Sequence, residues 1–404
     1  MKILQVLTYY RPHISGLTIY AERLSRELAA EGHEVIVLTS QYERNLPGVE
    51  VRDGVQVVRV PVLARVNKGV IMPTFGPRAW RLVRAADIVQ LHLPQFDAPG
   101  VALRGRLLGK PVVLSYHSDI QLPPGGVNRL AEGVIGAMNR AAGALADVVV
   151  AYTQDFASHS PFLSRFIGGK LRLVPPPVEL AAASAAEVEQ FRQKHDLVGK
   201  RVIGISARLA AEKGIEVLLS ALPQILQDFP EARILHASPE ALGEAAYAGF
   251  IRPLIESAGE HYRPLGALHG SQLTAFYRNL DCLVLCSLNS TETFGLVQVE
   301  AMMNGVPVVA SDLPGVRQPV RLTGMGEIVP PGAPAALAAA VVRVLSRPVD
   351  YRGSPEAVAR AFSPQETATE YLRLFRELLG EGYAVRREAE PRAYRELRQL
   401  RDAL

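Results

Sequence analysis

Cys282-Leu283-Val284-Leu285-Cys286, followed after two residues by Asn289-Ser290-Thr291-Glu292-Thr293-Phe294-Gly295-Leu296-Val297-Gln298-Val299-Glu300-Ala301-Met302, is the stretch from which the rest of the chain can be read. The unbroken apolar run predicts a strand buried on both faces, the mark of a parallel sheet. The polar segment after it turns through Thr293-Phe294-Gly295 into a helix. Such a strand-to-helix loop is where open α/β sheets hold their ligands. Glu292 in the loop and Glu300 on the helix frame it, and the backbone N–H groups between them are the unpaired donors of a helix start, suited to a phosphate.

Working outward, the same design recurs. A strand over Arg201–Ser206 leads into a loop (Ala207–Gly214), a helix (Ile215–Asp228) and a strand (Arg233–His236). Further strands are expected at His261–Leu265, Val306–Ala310 and Glu327–Val329. The N-terminal half repeats the scheme: strand Ile3–Leu7, loop Thr8–Gly16, helix Leu17–Ala30, strand Glu34–Thr39. In that helix Leu17, Ala21, Leu24 and Leu28 share one face. Other strands in this half are expected at Val55–Val60, Ile88–Leu93, Val112–Tyr116, Val148–Tyr152 and Leu171–Val174. Between the halves, Pro175-Pro176-Pro177 predicts a stiff polyproline hinge, with an Ala-rich polar stretch beyond it at Leu180–Glu189. The expected fold is α/β, with two doubly wound Rossmann-like domains and a ligand cleft between them. The first domain spans 1–177 and the second 178–364. C-terminal helices over 365–404 are expected to cross back to the first domain, with a charged peripheral helix after Gly380.

The 404-residue length is too great for one ordinary core and favours two domains. Apolar content of 48% with 21% charged residues fits an ordered globular chain. A net charge of +4, from 44 basic and 40 acidic residues without a basic run, argues against nucleic acid as a partner. Cys282 and Cys286 lie roughly 13 Å apart on one strand, beyond disulfide reach, and read as small core residues. Met1–Leu7 is too short for a signal peptide's apolar region, and no run approaches a transmembrane length, so the expected location is cytoplasmic. Arg78, Arg81, Arg84, Arg104 and Arg106, with Trp80 nearby, offer either a peripheral contact with an anionic membrane at its inner face or an ordinary solvated helix surface.

Several loops at strand ends carry chemistry. In Ser206-Ala207-Arg208-Leu209-Ala210-Ala211-Glu212-Lys213-Gly214, two cations precede a helix and make a cradle for a diphosphate. Taken alone they would pass for two solvated charges; the Glu292–Glu300 segment at another strand end favours the binding role. Ser115-Tyr116-His117-Ser118-Asp119 puts His117 at a strand's C-terminal end. Asp119 there is either a base for an acceptor or a helix cap. In Pro12-His13-Ile14-Ser15-Gly16, Gly16 permits close backbone approach to a ligand. His13 there reads equally as an exposed loop residue. Ser311–Arg317 is a further loop at a strand end, in which Arg317 has no assigned role.

Ala207-Arg208-Leu209 with Glu212-Lys213-Gly214, then Glu292 and Glu300 either side of seven residues that include Phe294-Gly295, then Gly305-Val306-Pro307, resemble the retaining glycosyltransferases of family four, which have the GT-B fold. The resemblance runs through nearly the whole chain and is densest over 201–332. It implies that Arg208 and Lys213 hold the donor diphosphate. The backbone at Thr293, Phe294, Gly295, Leu296 and Val297 would complete the phosphate site. Glu300 would bind the ribose hydroxyls and Glu292 the donor-sugar hydroxyls. His117 would lie close to the transferred sugar, and Gly16 in the first loop would touch donor phosphate or acceptor. The family's paired glycines are here Gly16-Leu17, and the glycine-rich turn after the second domain's second strand is here His236-Ala237-Ser238-Pro239-Glu240.

The resemblance thus implies a retaining transfer of a sugar from a nucleoside-diphosphate sugar to the hydroxyl of a carbohydrate or lipid-linked acceptor, in cell-envelope polysaccharide or glycolipid synthesis. His117, Glu292, Arg208 and Lys213 would be its catalytic residues. No Asp-x-Asp pair occurs, so neither a metal nor another cofactor is expected. The alternatives are a nucleotide-sugar 2-epimerase on the same fold and a non-catalytic sugar-nucleotide sensor.

Overall fold

The apolar runs pair as parallel strands in two separate sheets. A computed structural model describes the chain except for residues 67–68, 122–125, 239–244, 382–389 and 404. In chain order the strands are β1 (Lys2–Val6), β2 (Glu34–Gln41), β3 (Val49–Arg52), β4 (Val55–Pro61), β5 (Ala64–Val66), β6 (Gly69–Ile71), β7 (Ile88–Leu93), β8 (Val112–Tyr116), β9 (Val148–Ala151) and β10 (Leu171–Leu173). The second half adds β11 (Val202–Ser206), β12 (Arg233–Ala237), β13 (Tyr262–Gly266), β14 (Cys282–Leu285), β15 (Val308–Ser311) and β16 (Gly326–Val329).

The chain divides into two compact units. The first comprises Met1–Pro177 with Ser363–Pro391, and the second Val178–Phe362 with Arg392–Leu404. In the first unit the sheet order is β10-β9-β8-β7-β1-β2-β4-β3, parallel except for β3, which runs antiparallel to β4. Strand β3 is absent from the sequence-based expectations. Its turn is Asp53-Gly54, both at positive φ (50° and 79°), the Asp-Gly signature of a tight hairpin. In the second unit the order is β13-β12-β11-β14-β15-β16, parallel throughout. Both orders reverse direction at the first strand of the unit, so each unit is doubly wound.

Pro175–Pro177 ends the main segment of the first unit and is held within that unit: the Pro175 carbonyl accepts from Thr367 Oγ1 (2.9 Å) and the Pro177 carbonyl from Arg23 Nη1 (3.0 Å). Within the Ala-rich stretch, Ser184 and Glu187 form a reciprocal capping box that starts a helix at Ala185–Lys194. The helix Pro364–Leu378 belongs to the first unit, where Tyr371 and Phe375 are fully buried. The final helix, Arg392–Ala403, does not accompany it. It lies in the second unit and buries Ala393, Tyr394 and Leu397, with Tyr394 against the Phe362 ring at 5.8 Å. Its apolar face is too narrow to indicate from sequence which unit it serves. Among the described residues no helix is long and apolar enough to cross a membrane.

Candidate active site

Parallel strands end together, so the loops after β11, β12, β14 and β15 share one edge of the second sheet. Side chains and backbone lock them to one another. Gly214 ends the loop after β11 in the left-handed region (φ 64°), and a Cβ there would stand 2.3 Å from the Cys286 carbonyl oxygen. This close approach needs glycine. Leu288 N–H donates to the Glu212 carbonyl (2.9 Å), and the Cys286 thiol to that of Gly214 (3.0 Å). Burial pushes the Cys286 thiol up to about 12, so it stays protonated and serves as a donor. From β12, His236 donates through Nε2 to the Ala207 carbonyl (2.8 Å), which fixes its tautomer and leaves Nδ1 to accept from Tyr262 (2.5 Å). Gln298 is fully buried and donates to the Phe294 and Val316 carbonyls (2.8 and 2.9 Å), tying the loop after β14 to the loop after β15. Pro239 and Glu240 lie outside the described residues.

On this frame the structure brings Lys213 and Glu292 together. Lys213 Nζ stands 2.6 Å from Glu292 Oε2, with both side chains less than one fifth exposed. Glu292 Oε1 also accepts from Gly295 N–H (3.1 Å). Gly295 is left-handed (φ 75°) and begins the short helix Leu296–Met302 without a side-chain cap. The carboxylate therefore faces both a lysine and a helix start, the arrangement that the helix-compensating reading of Glu292 requires. Arg208 is half exposed and paired to Glu212 at 2.7 Å. Phe294 and Thr293 are buried, Phe294 against Phe362 at 5.6 Å.

Glu300 is buried on the same short helix, and Tyr277 Oη donates to its Oε2 at 2.7 Å. Sequence reasoning missed Tyr277, which is fully buried on the helix Ser271–Arg278. The phenol holds the Glu300 carboxylate at a fixed angle. Tyr277→Phe should weaken nucleoside-diphosphate affinity roughly five-fold, about 1 kcal/mol for one neutral donor to a carboxylate. Calorimetric titration checks it, and an unchanged Kd would remove Tyr277 from the site. Arg317 is drawn to Asp312 (3.0 Å).

In the first unit His117 comes directly after β8. Its Nε2 lies 3.0 Å from His92 Nδ1 and its Nδ1 2.5 Å from Tyr152 Oη, while Tyr20 packs edge-on at 4.7 Å. Both ring nitrogens are thus engaged within the protein, and the expected contact of this ring with a sugar would require one of them to be released. Burial, and secondarily the neighbouring His92, hold His117 well below the ordinary imidazole range; burial alone holds His92 at about 3. Asp119 accepts from Tyr116 (2.9 Å) and Ser160 (2.7 Å) and serves to pin its loop. Ser15 caps the helix Gly16–Ala30 in a capping box with Thr18, so Leu17 sits inside the first turn and not in a second glycine's loop position. His13 stacks on Tyr9 at 4.8 Å. A Cβ on Gly16 would meet nothing within 4 Å. Gly16→Ala should therefore change stability by less than about 0.5 kcal/mol. A loss of turnover without loss of stability would mark a ligand contact, and unchanged turnover would rule one out.

Among the described residues no three His, Cys, Asp or Glu side chains converge as metal ligands.

Two family models match: "Glycosyltransferase Family 4" over residues 14–182 and "Glycosyl transferases group 1" over residues 187–361. The chain is 26% identical over 410 residues to a phosphatidyl-myo-inositol mannosyltransferase of Mycobacterium tuberculosis, covering 95% of this chain and 99% of that one. It is 30% identical over 358 residues to D-inositol 3-phosphate glycosyltransferase 1 of Catenulispora acidiphila, covering 82% of each. Among solved structures, sucrose-phosphate synthase from Thermosynechococcus elongatus superposes with a TM-score of 0.74 at 22% identity, covering 94% of this chain and 100% of that one. HepE of Anabaena, in complex with UDP, also reaches 0.74, at 19% identity and with coverage of 95% and 100%. The fold is that of the GT-B enzymes, and the chain belongs to the glycosyltransferases of family 4.

Proposed function

We propose that this glycosyltransferase moves a hexose or N-acetylhexosamine from a nucleoside-diphosphate sugar to an acceptor hydroxyl with retention of configuration and without a metal. The observation that carries this reading is the largely buried Lys213–Glu292 pair at 2.6 Å, set against Gly295 N–H at a helix start. In this reading Lys213 and Arg208 take the diphosphate, with the backbone of Thr293–Val297 beside them. Glu300, held by Tyr277, takes the ribose diol, and Glu292 takes hydroxyls of the sugar. The cations stabilise the leaving diphosphate, the part a metal plays elsewhere. A leaving phosphate oxygen accepts the acceptor's proton on the face the diphosphate departs from, which gives retention. The second unit serves the donor, and the first, with Gly16 and His117, serves the acceptor and the transferred sugar.

HepE's UDP and UDP-glucose complexes support a nucleoside diphosphate as ligand. The mannosyltransferase relatives, named for phosphatidyl-myo-inositol, support a lipid-linked acceptor; with such an acceptor the enzyme would act in cell-envelope glycolipid synthesis, on the cytoplasmic side of the membrane. A peripheral bilayer contact would fall to Trp80, Arg81, Arg84 and Arg106, which are exposed. Arg78 and Arg104 turn inward to the Arg59 and Gly100 carbonyls.

The test is proton NMR of the product formed from UDP-, GDP- or ADP-hexose with phosphatidylinositol vesicles or simple glycosides, with and without a chelator. Retained anomeric configuration in both buffers is expected. Inversion, or loss of turnover with the chelator, overturns the corresponding part. Conversion of the donor without acceptor would establish the epimerase instead, and donor binding with no turnover would establish the sensor.

A further inference from the structure

His92 does not stand out in its sequence context. It sits near the end of β7 in the run Ile88-Val89-Gln90-Leu91-His92-Leu93, every residue of which is buried. Its side chain is fully buried, yet it is polar at both ends. Nδ1 lies 3.0 Å from His117 Nε2, and the two rings stack at 5.2 Å with 20° between their planes. Nε2 is buried without a hydrogen-bond partner. A buried imidazole with one nitrogen unsatisfied is costly, and an apolar residue of similar size would fill the same space without that cost. What the histidine provides in return is its contact with His117.

Resting on the reading of His117 as a residue of the transfer site, we propose that His92 is a positioning residue that fixes the proton and ring angle of His117. The proton placement comes by elimination. Two neutral imidazoles sharing one hydrogen bond require one donor and one acceptor. If His117 donated, His92 would carry its proton on Nε2 and bury an N–H with no acceptor. If His92 Nδ1–H donates, Nε2 shows only a lone pair, the less costly orphan. The second arrangement puts the His117 proton on Nδ1, aimed at Tyr152 Oη 2.5 Å away. His117 is then clamped from both sides, by strand-end residues of β7 and β9, the neighbours of its own strand. Both rings are neutral near pH 7, because burial holds each below the ordinary imidazole range. The clamp sets where the end of β8, and the His117 carbonyl with it, stands.

The experiment compares the full chain with His92→Phe, His92→Asn and His117→Ala, measuring melting temperature, donor Kd and turnover of the best-binding hexose among the UDP, GDP and ADP series. Phe keeps the volume and the stack but cannot donate. Asn presents an amide N–H close to the place of Nδ1–H. The expected result is a kcat lower by about 10- to 100-fold in His92→Phe, the scale of a misplaced group, with KM for the donor within about two-fold of the parent. His92→Asn should recover most of that loss despite its smaller volume. Unchanged turnover in His92→Phe, with turnover lost in His117→Ala, would overturn the positioning role and leave the transfer site standing. Equal losses in Phe and Asn that track melting temperature would make His92 merely structural and also overturn it. Unchanged turnover in His117→Ala would instead remove His117 from the site, and the inference with it.

Discussion

Glu292→Gln is expected to lower sugar transfer by about 100- to 1,000-fold, the usual loss on removing one preorganised charged contact to the reacting group, while tightening the binding of the bare nucleoside diphosphate. The second half of that expectation comes from the pairing. Without ligand, Lys213 is neutralised by Glu292 at 2.6 Å, and a diphosphate has to draw the ammonium away from the carboxylate. Glutamine keeps an oxygen to accept from Gly295 N–H but removes the competing charge. A partly buried pair is worth about 1 kcal/mol in such competition, so the diphosphate Kd should fall roughly five-fold. The free variant should also be less stable by about 1 to 3 kcal/mol, because Lys213 loses its counter-charge. Bound diphosphate should restore that loss, which gives a larger thermal shift than in the parent. Lys213→Ala should act in the opposite sense on binding, weakening the diphosphate while leaving Glu292 uncompensated. Calorimetry and thermal shift on the two variants check this, and parallel weakening of the diphosphate in both would show that the pair does not compete with the ligand.

Gly214→Ala should be the most damaging single methyl at the site. The residue is left-handed, and the added Cβ would stand 2.3 Å from the Cys286 carbonyl oxygen, a backbone atom that cannot move without shifting the loop after β14. Left-handed strain and the clash together should cost about 3 kcal/mol or more. Lys213 precedes this glycine and Leu288 N–H bonds to Glu212, so the displaced loops would carry the Lys213–Glu292 pair with them. Loss of the nucleotide-dependent thermal shift should accompany the loss of stability. A Gly214→Ala protein that melts and binds like the parent would show that the two loops are not wedged together.

Much of the candidate site's placement is legible in the sequence because its residues sit where local sequence rules are strong. Apolar runs such as Cys282–Cys286 mark parallel strands, and in a doubly wound sheet the residues just after them must lie at the ligand-binding edge. Lys213-Gly214 and Glu292-x-x-Gly295 were visible as loop segments of that kind. Their mutual contact was not, since it joins positions 79 residues apart through a sheet neighbour relation that only the strand order supplies. Tyr277 was missed because a tyrosine on an amphipathic helix reads as core until its hydroxyl is seen to meet Glu300. His92 was missed for a similar reason, being one polar residue in a strand buried throughout. The final helix went to the second unit because three side chains, Ala393, Tyr394 and Leu397, find their core there. With so few apolar positions, its sequence carries almost no information about where it docks.

That the second unit's loop edge, at Lys213, is the diphosphate site is the claim on which every other role depends. Titration calorimetry of UDP, GDP and ADP into the parent chain and Lys213→Ala measures this directly. The predicted result is saturable binding of at least one of the three to the parent and a loss of about 10- to 100-fold in Lys213→Ala, the 1.5 to 3 kcal/mol expected for a charge-assisted contact. Binding of equal strength to both proteins would contradict it.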